Sequence, residues 1–326
     1  MEAAPGSLAA ARARPLIVTG ASGFLGRHVL GRLVPVWQAE ARAVVRREAS
    51  AGAAGAHTIC GDLRDEQFLD RAIPRGGVVV HLAYDGAAGR DVNLLMADRL
   101  GEACARAGVE RLVHVSTAVV VGRCDEPWVT ESTPARPVTE YQRAKLAVEE
   151  TLKRHAKGRF PLVILRPTAI FGEGGANLRV LVRRLRQNSM LANYFRSSLS
   201  NRRAMNLVPV DTVAAAVQFG LESAQALEDG LYLVSEDEVA ANNFHDVERT
   251  LRSGLGMRDY PVPPLPLPAS GLAFALRLTG RMALHPMTRF SAGRLRRAGF
   301  VAPITFSDAL ARYSRHVATG SGRSEA

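Results

Sequence analysis

Tyr141 and Lys145 stand four residues apart in the run Tyr-Gln-Arg-Ala-Lys. On a helix, positions i and i+4 share a face, so this phenol and ammonium reach one place. A free tyrosine titrates at about 10, too high for a base in neutral solution. A neighbouring ammonium favours the phenolate and lowers that value. Such a pair can take a proton from a hydroxyl or return one to a carbonyl. Ser116 and Thr117 place two hydroxyls at the end of an apolar run upstream.

A second constellation lies near the start of the chain. Gly20, Gly23 and Gly26 follow a short apolar strand at 15–18 and open a helical stretch from Phe24 to about Val34. In a strand–glycine turn–helix of this kind, the first glycine makes the tight turn. The second lets backbone approach a pyrophosphate, and the third lets helix and sheet pack closely. The free N–H groups at the helix start then face the phosphates. A dinucleotide cofactor is therefore expected. The end of the second strand reads the adenosine ribose, where an acid selects NAD. Arg46 and Arg47 stand there instead. A guanidinium suits the 2′-phosphate of NADP, and Arg27 could assist. The bland alternative is that these arginines are solvated. The expected cofactor is NADP, with NAD as the second choice.

The elements that must position these groups alternate. Strands are expected at 41–45, 57–60, 77–82, 111–116 and 161–165, and helices at 92–107 and 140–156. The strands are continuous apolar runs, which indicates a parallel sheet covered on both faces. The fold class is α/β, a Rossmann-like doubly wound sheet with a smaller mixed C-terminal substrate region. Helices are expected at 178–186 and 212–223, and a further strand at 230–235. A proline-rich connector covers 261–268.

The 326 residues are 47% apolar and 22% charged, ordinary for a globular protein. Cys60, Cys104 and Cys124 are too few and too scattered for a disulfide framework or a zinc set, and no metal is expected. A cytoplasmic setting fits. No apolar stretch reaches membrane-span length; the nearest, at 272–278, is short and contains Arg277. The net charge of +11 fits a solvated basic surface or an anionic ligand. No nucleic-acid motif accompanies it, so that partner is not expected.

In order along the chain come TGASGFLG (19–26), GDLRD (61–65), HLA (81–83), HVSTAVVVG (114–122), YQRAK (141–145), RPTAIFG (166–172), VPVDTVAAA (208–216) and LRRAGFVAPITFSDAL (295–310). With these motifs the chain resembles the extended short-chain dehydrogenase/reductase family, also called the NAD(P)-dependent epimerase/dehydratase family. The resemblance covers nearly everything after the first 14 residues. It implies catalytic roles for Thr117, holding the substrate oxygen, with Ser116 as the alternative, for Tyr141 as proton carrier, and for Lys145. It implies cofactor contacts from Gly20, Ser22, Gly23, Phe24, Leu25, Gly26, Arg46, Asp62, Leu63, Leu82, Ala83, Tyr141, Lys145, Pro167 and Thr168. Asp62 would hydrogen-bond the adenine, and Asn93 would support the site. Val121 departs from the family pattern, which often has Tyr there. Ala118-Val119 stand where dehydratases of the family carry Asp-Glu, which argues against dehydration.

Substrate contacts are expected from Thr117, Asn177, Arg202 and Arg203, within a run of arginines from 179 to 203 that would suit a diphosphate. His81 and His114 are expected to be structural, and His28 is assigned no chemistry. The expected organisation is an extension at 1–14, a cofactor domain at 15–172 rejoined by 207–236, a substrate region at 173–206 and 237–318, and a tail at 319–326. The leading function is hydride transfer on a nucleotide-diphosphate sugar, by epimerisation or keto-sugar reduction. The alternatives are a reductase of a lipid, steroid-like or other small ketone, and a non-catalytic cofactor-binding regulator. A homodimer is expected by resemblance alone.

Overall fold

A computed structural model describes residues 14–47, 55–222, 227, 230–266 and 286–319. Most of the expected N-terminal extension, the expected tail beyond 319 and the apolar run at 272–278 lie outside the described residues.

The chain builds strand β1 (Leu16–Thr19), helix α1 (Phe24–Trp37), β2 (Ala41–Val45), β3 (His57–Cys60), α2 (Glu66–Ala72), β4 (Val78–His81), α3 (Gly89–Ala107) and β5 (Arg111–Val115). After a two-residue strand β6 (Trp128–Val129) come α4 (Glu140–Ala156), β7 (Leu162–Pro167) and β8 (Ala169–Phe171). Then follow α5 (Arg179–Gln187), α6 (Met190–Ser200), β9 (Leu207–Pro209), α7 (Val210–Glu222) and β10 (Gly230–Val234). The described chain ends with α8 (Phe244–Gly254), β11 (Arg289–Phe290), α9 (Gly293–Arg297) and α10 (Phe306–Ala318).

Seven strands form one parallel sheet in the order β10-β7-β5-β4-β1-β2-β3. Alternate residues of each strand face opposite sides. Leu16 and Val18 pack with Val29 and Leu33 of α1 and Val213 and Val217 of α7. Ile17, between them, joins Leu100 of α3 and Leu152 of α4 on the other side. Each such fully buried aliphatic side chain contributes about 1.5–3 kcal/mol, so two continuous apolar layers hold the sheet. The expected strands and sheet class agree with this arrangement.

A third core joins Phe171, Leu185, Val247, Leu251, Phe306 and Leu310 from the later segments. Several helices were not foreseen, among them α2, α6 and α8. Each of these three starts with a side-chain cap, from Asp65, Ser189 and Asn243 respectively.

Candidate functional site

The site gathers where the strand order reverses, between β1 and β4. Ligands of open parallel sheets bind at that crevice, beyond the C-terminal strand ends. Gly20 leaves β1 with φ +71, a left-handed conformation, and a Cβ there would lie 2.6 Å from the Ala83 nitrogen. At Gly26, a Cβ would lie 2.3 Å from the Gly20 carbonyl. Gly23 caps α1 without a side-chain hydrogen bond, and the first turn holds no acid. The helix start thus presents open N–H groups and a positive dipole end to an anion.

A cavity of about 260 Å3 opens beside this turn. Its wall contains Gly20, Ser22, Gly23, Arg46, Asp62, Leu63, Leu82 and Ala83, all selected from sequence, together with Val44, Val45, Gly61, Tyr84, Asp85 and Met96. Phe24 and Leu25 open α1 behind it; the Phe24 ring meets His28 edge-on at 5.3 Å. Pro167 ends β7, and the buried Thr168 hydroxyl beside it has no partner among the described residues. A glycine cradle, an uncapped helix start and an orphaned buried hydroxyl fit a dinucleotide.

Two side chains of this wall already hold partners that the sequence reading missed. Arg46 donates to Asp85 at 2.6 Å. Arg64 grips the Asp62 carboxylate through both its Nε and Nη2, which holds that carboxyl below its usual range. An adenine contact by Asp62 therefore means sharing or exchanging Arg64. Arg47 is exposed, and Arg27 donates to the Ser22 carbonyl at 3.1 Å, bracing the turn from below.

At the other end of the crevice, Thr117 follows β5 and caps the short 118–121 turn. Tyr141 enters on the first turn of α4, which a Thr139–Gln142 capping box starts. The Thr117 hydroxyl stands near enough to the Tyr141 phenol to favour the phenolate. Tyr141 keeps 45% of its surface accessible, enough to meet a substrate. The Ser116 hydroxyl is buried without a partner among the described residues, whereas the Thr117 hydroxyl acts on the tyrosine.

Lys145 lies one turn further and is buried. Its ammonium sits 4.3 Å from the centre of the Tyr84 ring, and that ring meets Tyr141 edge-on at 5.4 Å. Burial brings the Lys145 ammonium down to about 8, with Glu149 pulling the other way. Tyr141 corrects an expectation: its phenol is raised above 10, not lowered. Burial is the main cause and nearby Tyr84 adds to it, while the Thr117 hydroxyl opposes both. The ammonium faces the Tyr84 ring instead of discharging on the phenol. Tyr84 was missed in the sequence, although its place just past a parallel strand end was a usable signal.

A buried polar layer backs the trio. Arg166 of β7 donates two hydrogen bonds to Glu149 of α4, at 2.9 and 2.6 Å, with Glu149 fully enclosed. His81 and His114 stack at 5.1 Å, and His81 pairs with the Thr19 hydroxyl at 2.8 Å. Burial depresses both imidazoles, His81 to about 3. Asn93 is buried and ties the 85–89 loop through Asp85 and Gly89.

The expected substrate residues are more dispersed. Asn177 donates its amide to the Ile170 carbonyl at 2.7 Å. Arg202 and Arg203 are exposed on the approach to β9 and pair with no carboxylate among the described residues. Arg179, Arg183 and Arg186 line a different cavity, which Thr117, Tyr141 and Lys145 do not reach. The described residues hold no group of three His, Cys, Asp or Glu that could bind a metal ion, and no helix long and apolar enough to cross a membrane.

Among known proteins, the chain is similar to a UDP-glucose 4-epimerase of Streptomyces lividans, 34% identical over 158 residues, which is 43% of this chain and 47% of that one. The match thus spans about half of that relative. Another relative is a 4-hydroxy-2-methyl-3-oxo-4-farnesyl-3,4-dihydroquinoline-1-oxide ketoreductase of Stigmatella aurantiaca, 34% identical over 170 residues, 48% of this chain and 50% of that one. The solved structure of a Thermus thermophilus UDP-glucose 4-epimerase complexed with NAD shares the fold, with TM-score 0.65 and 22% identity over 93% of this chain and 98% of that one. The model of the NAD dependent epimerase/dehydratase family matches residues 16–231. With about two thirds of its length under that match and the glycine cradle at the sheet's reversal, the chain belongs to the NAD dependent epimerase/dehydratase family, enzymes of the extended short-chain dehydrogenase/reductase type.

Proposed function

We propose that this enzyme moves a hydride to or from a carbon of a nucleotide-diphosphate sugar, by epimerisation through a ketone or by keto-sugar reduction. The observation that carries the reading is the convergence of the accessible Tyr141 and the buried Lys145 on the Tyr84 ring, one helical turn apart, with the Thr117 hydroxyl beside the phenol. A bound nicotinamide supplies the hydride acceptor or donor. Thr117 holds the reacting oxygen of the substrate. Tyr141 takes the hydroxyl proton when the carbon is oxidised and returns it when the carbonyl is reduced. Its raised pKa keeps the phenol protonated in neutral solution. That suits proton donation as the protein stands. Acting as a base, it needs Lys145 to turn from Tyr84 toward the phenol oxygen, where the ammonium would favour the phenolate.

Glycines 20, 23 and 26 would hold the pyrophosphate, and Pro167 and Thr168 the nicotinamide end. Arg46, at the mouth of the cavity, supports a preference for NADP. The segments 173–206 and 237–318, with Asn177, Arg202 and Arg203, would select the substrate in a cytoplasmic homodimer.

The test is a panel of nucleotide sugars and keto-sugars, followed by both cofactor absorbance and product identity. An epimer formed without net cofactor change, or a keto-sugar reduced, supports the reading; silence across the panel overturns it. A second reading, reduction of a greasy ketone, is supported by the ketoreductase relative and the Tyr84 ring in the site. Turnover of apolar ketones alone would replace the first reading with the second. Affinity for NADP that equals that for NAD, and is unmoved by Arg46→Ala, would sink the cofactor preference.

A further inference from the structure

A cavity of about 940 Å3 lies on the outward side of α1, between that helix, α5, α7 and the end of α10. It shares no lining residue with the cofactor cavity at the strand ends. Arg27 and Arg32 reach it from α1, and Arg179, Arg183 and Arg186 from one face of α5. Some exposed arginines elsewhere sit against carboxylates, as Arg99 does with Glu66 and Arg106 with Asp70. None of these five pairs with a carboxylate among the described residues. The two acids in the wall are already engaged, Asp211 by Arg312 and Glu173 near His316.

With Arg27 and Arg186 held by backbone carbonyls and two acids in the wall, the five guanidinium groups still leave an excess of positive charge around one concavity, which favours an anion. A second observation points the same way. Tyr313 lines this cavity, is 5% exposed, and its hydroxyl has no partner among the described residues. Val182, Ala214 and Val317 give the wall an apolar patch beside these cations. The volume suits a small organic molecule and not merely one phosphate.

We infer that this cavity is a second ligand site, separate from the catalytic crevice, for a nucleoside di- or triphosphate. The guanidinium groups of α1 and α5 take the phosphates, and Tyr313 with the apolar patch takes the nucleoside. Because α1 also begins at the cofactor turn, where Arg27 braces Ser22, the two sites share one rigid helix. The inference stands apart from the proposed substrate, since it uses none of the trio.

The experiment is calorimetric titration of the full chain, saturated with NADPH, with ADP and with inorganic pyrophosphate. The expected result is one ADP site that is tighter than the pyrophosphate site. Arg179→Glu/Arg183→Glu should weaken ADP by more than tenfold, since removing each charged hydrogen bond costs about tenfold or more. Its NADPH affinity should be unchanged. Arg32→Ala, on the opposite wall, and Tyr313→Phe repeat the test should charge reversal unfold the chain. ADP binding that none of these variants moves would overturn the inference. So would failure of ADP to bind the NADPH-saturated protein, or pyrophosphate binding as tightly as ADP. Binding of DNA lost in the same variants, without ADP binding, would assign the cavity to a polymer instead.

Discussion

The two ends of the candidate crevice are built from different materials. At the glycine turn, recognition is made of backbone. Gly20 and Gly26 leave no room for a Cβ, and the open N–H groups of α1 are fixed by the helix itself. At the Tyr141 end, the working groups are side chains that hold provisional partners. Tyr141 meets the Tyr84 ring edge-on beside Thr117, and Lys145 leans on the same ring. Backbone recognition is preformed and costs no rearrangement when a ligand arrives. Side-chain chemistry can be retuned as partners change. Binding and catalysis should therefore be separable by mutation, and that is where the contrast can be broken.

The largest effect is expected from Tyr141→Phe. Removing the proposed proton carrier should lower kcat by about 10²–10⁴-fold. Cofactor affinity, measured by fluorescence titration, should hold. Equal turnover by the variant would show that Tyr141 is not the proton carrier. Gly20→Val should do the reverse. Its branched side chain collides with Ala83 and is forced into a left-handed conformation, at about 1–3 kcal/mol of stability. Cofactor binding should fall with it. A Gly20→Val protein that binds the cofactor normally would show that the turn is not the rigid half.

A pH titration sharpens the side-chain half. Lys145 has a folded value of about 8 against an ordinary 10.5. If the ammonium is required, kcat/KM falls as pH rises through about 8, and Lys145→Arg removes that limb by staying cationic. The stability sign follows from proton uptake: between about 8 and 10.5 the unfolded chain binds the proton that folded Lys145 has lost. Burying this amine therefore costs most below pH 8, and the cost is relieved as pH rises through that window. A flat kcat/KM from pH 7 to 9 would show that the charge is not used.

The smallest effect concerns the layer behind the trio. His81 and His114 stay neutral in the fold, His81 down to about 3. Below about 6.5 the unfolded chain takes up protons that they refuse. Urea stability should therefore decline as pH falls from about 6.5 toward 4, and His114→Leu should make the decline shallower. An unchanged slope would locate the acid sensitivity elsewhere.

The same contrast explains what could be read from sequence. Constraints on the backbone leave their mark on residue type, so the turn at 19–26 and the apolar strands were legible. So were the residues of one helix face, Tyr141 and Lys145. The cap Asn243 with Phe244, Val247 and Leu251 at helical spacing gave a usable signal for α8, but a short helix in an irregular region is easily passed over. What was illegible is pairing across the fold. Nothing local in the chain says that Arg46 meets Asp85, that Tyr84 receives Lys145, or that arginines from α1 and α5 surround one cavity. Those depend on how the layers close, and charge counts alone are blind to it.

The enclosed pair of Glu149 and Arg166 limits how this enzyme can change over generations. Losing either partner strands a charge in the interior, at about 3–5 kcal/mol, a large share of a typical domain's stability. The two positions can therefore be rewritten only together. Because one stands on the helix of Tyr141 and Lys145 and the other on the strand leading to Thr168, single-step descendants inherit the same spacing between that helix and the end of that strand.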